Sequence, residues 1–148
     1  MRIAIGADHV GYDLKAAVGK FLTQLDHEWV DFSPATLDPE DDYPVVASQL
    51  ARAVAKGEFD RGVLICGTGI GMSIAANKVE GIRAALIGDE KTAALSRQHN
   101  DANIFCAGAR ITPVVKIAES LKVWLETPFE GGRHLNRVAK ITAIEKNG

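Results

Sequence analysis

Short apolar runs alternate with segments of helical periodicity from one end of the chain to the other, and this alternation constrains the fold more than any other feature. Repeated β-α units of this kind build a mostly parallel sheet covered by helices. Strands are expected near Arg2–Gly6, Glu28–Phe32, Gly62–Cys66, Ile82–Ile87 and Asn103–Ala107. After the first, Leu14, Ala17, Val18, Phe21, Leu22 and Leu25 recur at spacings of mostly three and four, which predicts an amphipathic helix lying on the sheet. Ala47, Leu50, Ala51 and Val54 repeat the pattern after Pro44, and Val114, Ile117, Ala118, Leu121 and Leu125 repeat it after Pro113. Proline suits the first turn of a helix, where its missing N–H would have no partner anyway. From about Glu130 to Lys146, Leu135, Val138 and Ile141 predict a last helix over the body. At 148 residues, with no internal repeat, low-complexity tract or linker, the chain is expected to form one domain.

Seventeen basic against nineteen acidic side chains leave a formal net charge of -2, which advertises neither nucleic acid nor an anionic membrane as partner. Gly6 and Asp8 interrupt the apolar stretch that a signal peptide needs, and no window approaches the roughly 18 consecutive apolar residues of a membrane span. A cytoplasmic location is expected. Cys66 and Cys106 are too few for a disulfide framework or a four-cysteine zinc site, so neither a metal nor another cofactor is expected.

In an open α/β sheet, ligands bind beyond the carboxyl ends of the strands, where strand order reverses. The loops after strands one and three hold Ala7-Asp8-His9-Val10-Gly11 and Gly67-Thr68-Gly69-Ile70-Gly71. Glycines at 67, 69 and 71 let the backbone turn tightly and aim several N–H groups at one point, a cradle for an anion or an oxyanion. A phosphate-binding P-loop and a dinucleotide fingerprint both need glycine where Met72 stands. Cys66, at the mouth of the cradle, is a candidate nucleophile or base, whereas Cys106, within a predicted strand, is expected to be a small apolar core residue.

His99-Asn100-Asp101 precedes the fifth strand and so enters at the amino edge of the sheet, opposite the cradle. His99 is either a solvated histidine at a capped helix end or, if catalytic, a residue that a second subunit supplies, because it cannot easily reach its own chain's pocket. Arg133 and Arg137 are one helical turn apart beside Gly131-Gly132, so both guanidinium groups project from one face and suit a phosphate. Arg110, in the loop after strand five, is a third candidate; His27 is expected to be an ordinary surface residue, and His134 to point away from the arginine pair.

Gly6-Ala-Asp-His-Val-Gly11, Asp42-Tyr43-Pro44, Cys66-Gly-Thr-Gly-Ile-Gly71 with Ala75-Ala76-Asn77-Lys78, Ser96-Arg-Gln-His-Asn-Asp101 and Glu130-Gly-Gly-Arg-His134 together resemble the type B ribose-5-phosphate isomerases. The blocks span nearly the whole chain in the family's order. The resemblance implies a three-layer α/β/α sandwich, Rossmann-like, around a five-stranded parallel sheet in the order 2-1-3-5-4 with a C-terminal helix. It also implies homodimers or tetramers whose sites lie at the dimer interface, and a metal-independent aldose-ketose isomerisation. On that resemblance Cys66 is the base that moves a proton between C1 and C2, and the loop of Gly67, Thr68, Gly69, Ile70 and Gly71 holds the enediolate oxygen, with the Thr68 hydroxyl assisting. Asp8 and Tyr43 line the sugar site, and His99, with Asn100 beside it, opens the furanose. His9, Arg110, Arg133 and Arg137 hold the phosphate. Another branch of the family carries a glutamate base at the position of Met72; a methionine there cannot accept a proton, so this chain must use Cys66 or lack the activity.

One departure is visible. Ser33 stands where many members have glycine, and the stretch from there to Asp42 is rich in acid and proline. It borders the sugar end of the pocket, so allose 6-phosphate, galactose 6-phosphate or a four-carbon sugar phosphate are alternative substrates to ribose 5-phosphate. A sensor that binds a sugar phosphate or nucleotide without turnover is the rival class; such a protein has no use for Cys66 together with His99. A redox switch centred on Cys66 lacks a resolving cysteine close in sequence.

Overall fold

The computed structural model describes residues 1–147. Their strands are β1 (Arg2–Ala7), β2 (Glu28–Asp31), β3 (Arg61–Cys66), β4 (Ala84–Leu86) and β5 (Ile104–Gly108). The helices are α1 (Tyr12–Gln24), α2 (Tyr43–Ala55), α3 (Ile70–Ala76), α4 (Glu90–Asn100), α5 (Val114–Glu126) and α6 (Arg133–Asn147). All paired strands are parallel, in the order β2-β1-β3-β5-β4. The expected topology is therefore the observed one, with strand ends shifted by a residue or two. The fourth strand is the largest difference: it is an edge strand of three residues, Ala84–Leu86, instead of the expected six, and it pairs with Ile104–Cys106 of β5.

Side chains along the three central strands alternate between two buried layers, which is why those strands read as near-continuous apolar runs. Ile3, Ile5, Val63, Ile65 and Phe105 pack on one face against Val18 and Leu22 of α1 and Ile117, Leu121 and Trp124 of α5. Ala4, Leu64, Cys66, Ile104 and Cys106 pack on the other face against Val46, Leu50 and Val54 of α2 and Met72 and Ala76 of α3. Ala17, expected on the buried stripe of α1, faces solvent, and Gly19 takes the inward place because the Trp29 ring lies where a Cβ would project. Helix α4 had no strong apolar stripe to announce it. A capping box starts it instead: the Asp89 carboxylate accepts the Thr92 N–H at 2.7 Å, and the Thr92 hydroxyl lies 3.4 Å from the Asp89 N–H. Among the described residues no helix is long and apolar enough to cross a membrane.

Candidate active site

The order of strands reverses between β1 and β3, and the loops that leave their carboxyl ends meet there. The Ala7–Ile65 register sets the two loops level, and Asp8 donates its N–H to the Ile65 carbonyl at 3.2 Å. The cleft between them, about 470 Å³, is lined by Asp8, His9, Tyr43, Cys66, Thr68 and Arg110 among others.

Each side chain in this cleft is held by a local contact. Asp8 is buried, and its Oδ1 accepts the N–H groups of Val10 and Gly11 at 2.9 and 3.0 Å, closing the turn that starts α1. His9 is half-buried, with its Nδ1 2.8 Å from the Asp41 carboxylate. Cys66 is 5% exposed, and its sulfur accepts the Gly69 N–H at 3.1 Å. Gly69 has a φ of 78°, a left-handed conformation that glycine adopts without penalty, and this turn brings its N–H back to the sulfur. The Thr68 Oγ1 accepts the Ile70 N–H at 3.2 Å. Two of the loop's N–H groups are therefore already engaged within the loop, which narrows the expected oxyanion cradle to its remaining donors. Gly71 lies so close to Tyr43 that a Cβ there would be 2.5 Å from the phenol ring. Arg110 donates its backbone N–H to the Gly67 carbonyl at 2.9 Å, and its exposed side chain reaches back along Gly67.

Cys106 lies beneath the site and is fully buried; burial, and to a lesser degree the neighbouring Cys66, push its thiol far above the usual range. It is held as the neutral, apolar residue the sequence suggests. Met72 is completely buried in the α2–α3 layer, so this position does not face the cleft.

The other candidates gather elsewhere. His99 and Asn100 end α4, before the amino end of β5, and Arg133 and Arg137 begin α6, where both are exposed. These four do not line the Cys66 cleft. His134 does turn away from the arginine pair, and what it turns toward was not foreseen: it is buried, and its ring stacks on that of His99 with centroids 4.3 Å apart and planes 15° from parallel. Gly131 and Gly132, with φ of 66° and 55°, make the turn that allows this, and the Glu130 N–H fastens it to α4 through the Gln98 carbonyl at 3.1 Å. Burial, followed by the nearby His99 and Arg133, lowers the His134 pKa. Spacing alone could have suggested the pairing of Glu130 with His134, since they are four residues apart.

His99, Glu130 and His134 also bring three metal-ligating atoms within 4.8 Å of one another. The ring stacking argues against a shared ion. Imidazole lone pairs lie in the ring plane, and two nearly parallel planes offer no common point at the roughly 2 Å that a metal–nitrogen bond requires.

The chain matches the Ribose/Galactose Isomerase family model over residues 3–141 and belongs to that family. It is 47% identical to ribose-5-phosphate isomerase B of Escherichia coli, an alignment covering 98% of this chain and 97% of that one. The solved ribose-5-phosphate isomerase B of Clostridium thermocellum superposes with a TM-score of 0.96 at 47% identity, covering 99% of both chains. The Mycoplasma genitalium ribose-5-phosphate isomerase B, solved with bound ribulose-5-phosphate, superposes at 0.95 with 42% identity over 99% of this chain and 97% of that one.

Proposed function

We propose that the protein interconverts ribose 5-phosphate and ribulose 5-phosphate through an enediolate, with Cys66 as the base. The observation that carries this reading is that Cys66 lines a cleft of about 470 Å³, with the Gly69 N–H donated to its sulfur at 3.1 Å. A carbon acid next to a carbonyl is weak, so the reaction needs a base at the right distance and donors already aimed at the oxygen where charge develops. Cys66 removes the C2 proton of the open-chain aldose and returns it at C1, while the hydroxyl hydrogen passes from O2 to O1. The free N–H groups of the Gly67–Gly71 loop and the Thr68 hydroxyl stabilise the enediolate; Asp8 and Tyr43 border the sugar.

The site is complete only when a second copy joins it. Arg110 is the one arginine among the residues lining the Cys66 cleft, while His99, Asn100, Arg133 and Arg137 lie at the amino end of the same sheet. In the proposed homodimer each cleft receives His99 as the ring-opening acid and base, and Arg133 and Arg137 join His9 and Arg110 on the phosphate. The exposed apolar side chains Ile70, Ile74, Leu86 and Ile111 around the cleft, and Ile141 and Ile144 on α6, support a subunit contact.

A coupled assay with four-, five- and six-carbon aldose phosphates, with and without chelator, tests the reading. Ribose 5-phosphate should be turned over fastest, with chelator making no difference. Preference for another aldose phosphate would move the substrate, turnover of none would favour the sensor, and loss with chelator would overturn the metal-free reaction.

A further inference from the structure

Asp41 belongs to no helix or strand; it lies in the acid-rich stretch between β2 and α2. Both ends of that stretch are fastened to the β1–α1 turn. At the near end the Ser33 hydroxyl accepts the Ala7 N–H at 2.8 Å, and next to it the Tyr12 hydroxyl donates to the Ala35 carbonyl at 3.2 Å. At the far end Asp41 folds back on His9, and its side chain is only 10% exposed. A single Asp41 oxygen, Oδ1, faces both the Nδ1 of the His9 ring, at 2.8 Å, and the His9 backbone N–H, at 3.3 Å.

Two donors converging on one carboxylate oxygen fix more than a distance. An ionised carboxylate only accepts, so Nδ1 of the His9 ring is the donor to Asp41, and a phosphate, which also only accepts, is bound through Nε2 with a second hydrogen there. Nε2 is then the one ring nitrogen left for a ligand, and the backbone contact stops the ring from swinging round to present the other. The second atom of a histidine commonly sets the work of the first in this way. We infer that Asp41 is a positioning residue, whose carboxylate holds Nδ1–H and fixes the ring orientation of His9 so that Nε2 is presented to the sugar phosphate in the cleft. The inference rests on the reading above that His9 touches the substrate. It also gives the loop between Ser33 and Asp42 a definite role, because through Asp41 the loop's position is coupled to the residue that grips the ligand.

Steady-state kinetics on ribose 5-phosphate with Asp41→Ala, Asp41→Asn, His9→Ala and the double variant Asp41→Ala/His9→Ala test this, with each melting temperature checked. Losing one hydrogen bond to a charged group should raise KM about tenfold in Asp41→Ala, with kcat within about twofold. Asp41→Asn keeps an oxygen acceptor for Nδ1–H and should recover most of the loss. The double variant should be no worse than His9→Ala, since Asp41 acts only through His9. An unchanged KM in Asp41→Ala beside a raised KM in His9→Ala would overturn the inference and leave the role of His9 standing. Effects that multiply in the double variant would show Asp41 acting apart from His9 and also overturn it. An unchanged KM in His9→Ala would overturn the reading of His9 itself, and the role of Asp41 with it.

Discussion

The two ends of the sheet differ in what they can do. The carboxyl end is preorganised: Asp8 closes its own turn, Gly69 donates to Cys66, Ile70 donates to Thr68, and Tyr43 packs on Gly71. On the proposed reading it holds the base and the oxyanion donors, with Arg110 as the arginine among its lining residues. The amino end holds charge and an imidazole pair without a cradle: Arg133 and Arg137 stand free in solvent, and His99 stacks on a buried His134. Each end lacks what the other has. If the two ends carry complementary halves of one site, as proposed, the working unit is a pair of chains, with the carboxyl end of one facing the amino end of the other.

The largest expected effect separates the chemistry from the binding. Cys66→Ala should reduce kcat by at least about a thousandfold, removing the base, while the sugar phosphate still binds within a fewfold of normal in calorimetry. Near-normal turnover would place the base elsewhere. Next, Arg133→Ala and Arg137→Ala should each raise KM about 10- to 100-fold, the loss of one or two charge-assisted hydrogen bonds, with kcat changed much less. If KM holds in both, the amino end is not the phosphate clamp.

Gly71→Ala sharpens the contrast from the carboxyl side. The added methyl would stand 2.5 Å from the Tyr43 ring, so the ring or the loop must move. Overpacking of this kind costs about 1–3 kcal/mol, and kcat/KM should fall about tenfold while Arg133 and Arg137 variants of the same protein show their usual KM effect. The smallest effect concerns pH. Because the folded protein holds His134 below the ordinary histidine value of 6.5, the unfolded chain takes up a proton there first as pH falls. Stability should therefore drop as pH falls through and below 6.5, and His134→Asn should flatten that part of the curve, read as Tm between about pH 7.5 and 5.5. Identical slopes in the two proteins would contradict a buried, neutral His134.

The alternation of strands and helices was legible in the sequence because the three central strands are buried on both faces and flanked by helices with clear periodicity, whereas the strand order came only with the resemblance to the family. Helix α4 was less legible, since it is defined by its cap at Asp89–Thr92 more than by an apolar stripe. The cleft was legible because glycines at 67, 69 and 71 have few other uses after an apolar strand. Three details were not. The engagement of the Gly69 and Ile70 N–H groups depends on side-chain direction in a loop. The His99–His134 stack joins residues 35 positions apart through the angle at which α6 leaves the Gly131–Gly132 turn. The Asp41–His9 bond crosses 32 positions, from a stretch with no periodicity to read.

The central claim is that each site is assembled from Cys66 of one chain and His99 of another. Cys66→Ala and His99→Ala chains, each deficient as a homodimer, should be co-expressed with different tags, and the mixed dimer isolated and assayed on ribose 5-phosphate. One of its two sites then has both residues intact, so about half the wild-type activity per dimer is expected. Activity no greater than that of the parent homodimers would contradict the claim, because it would mean that Cys66 and His99 serve the same site from within one chain.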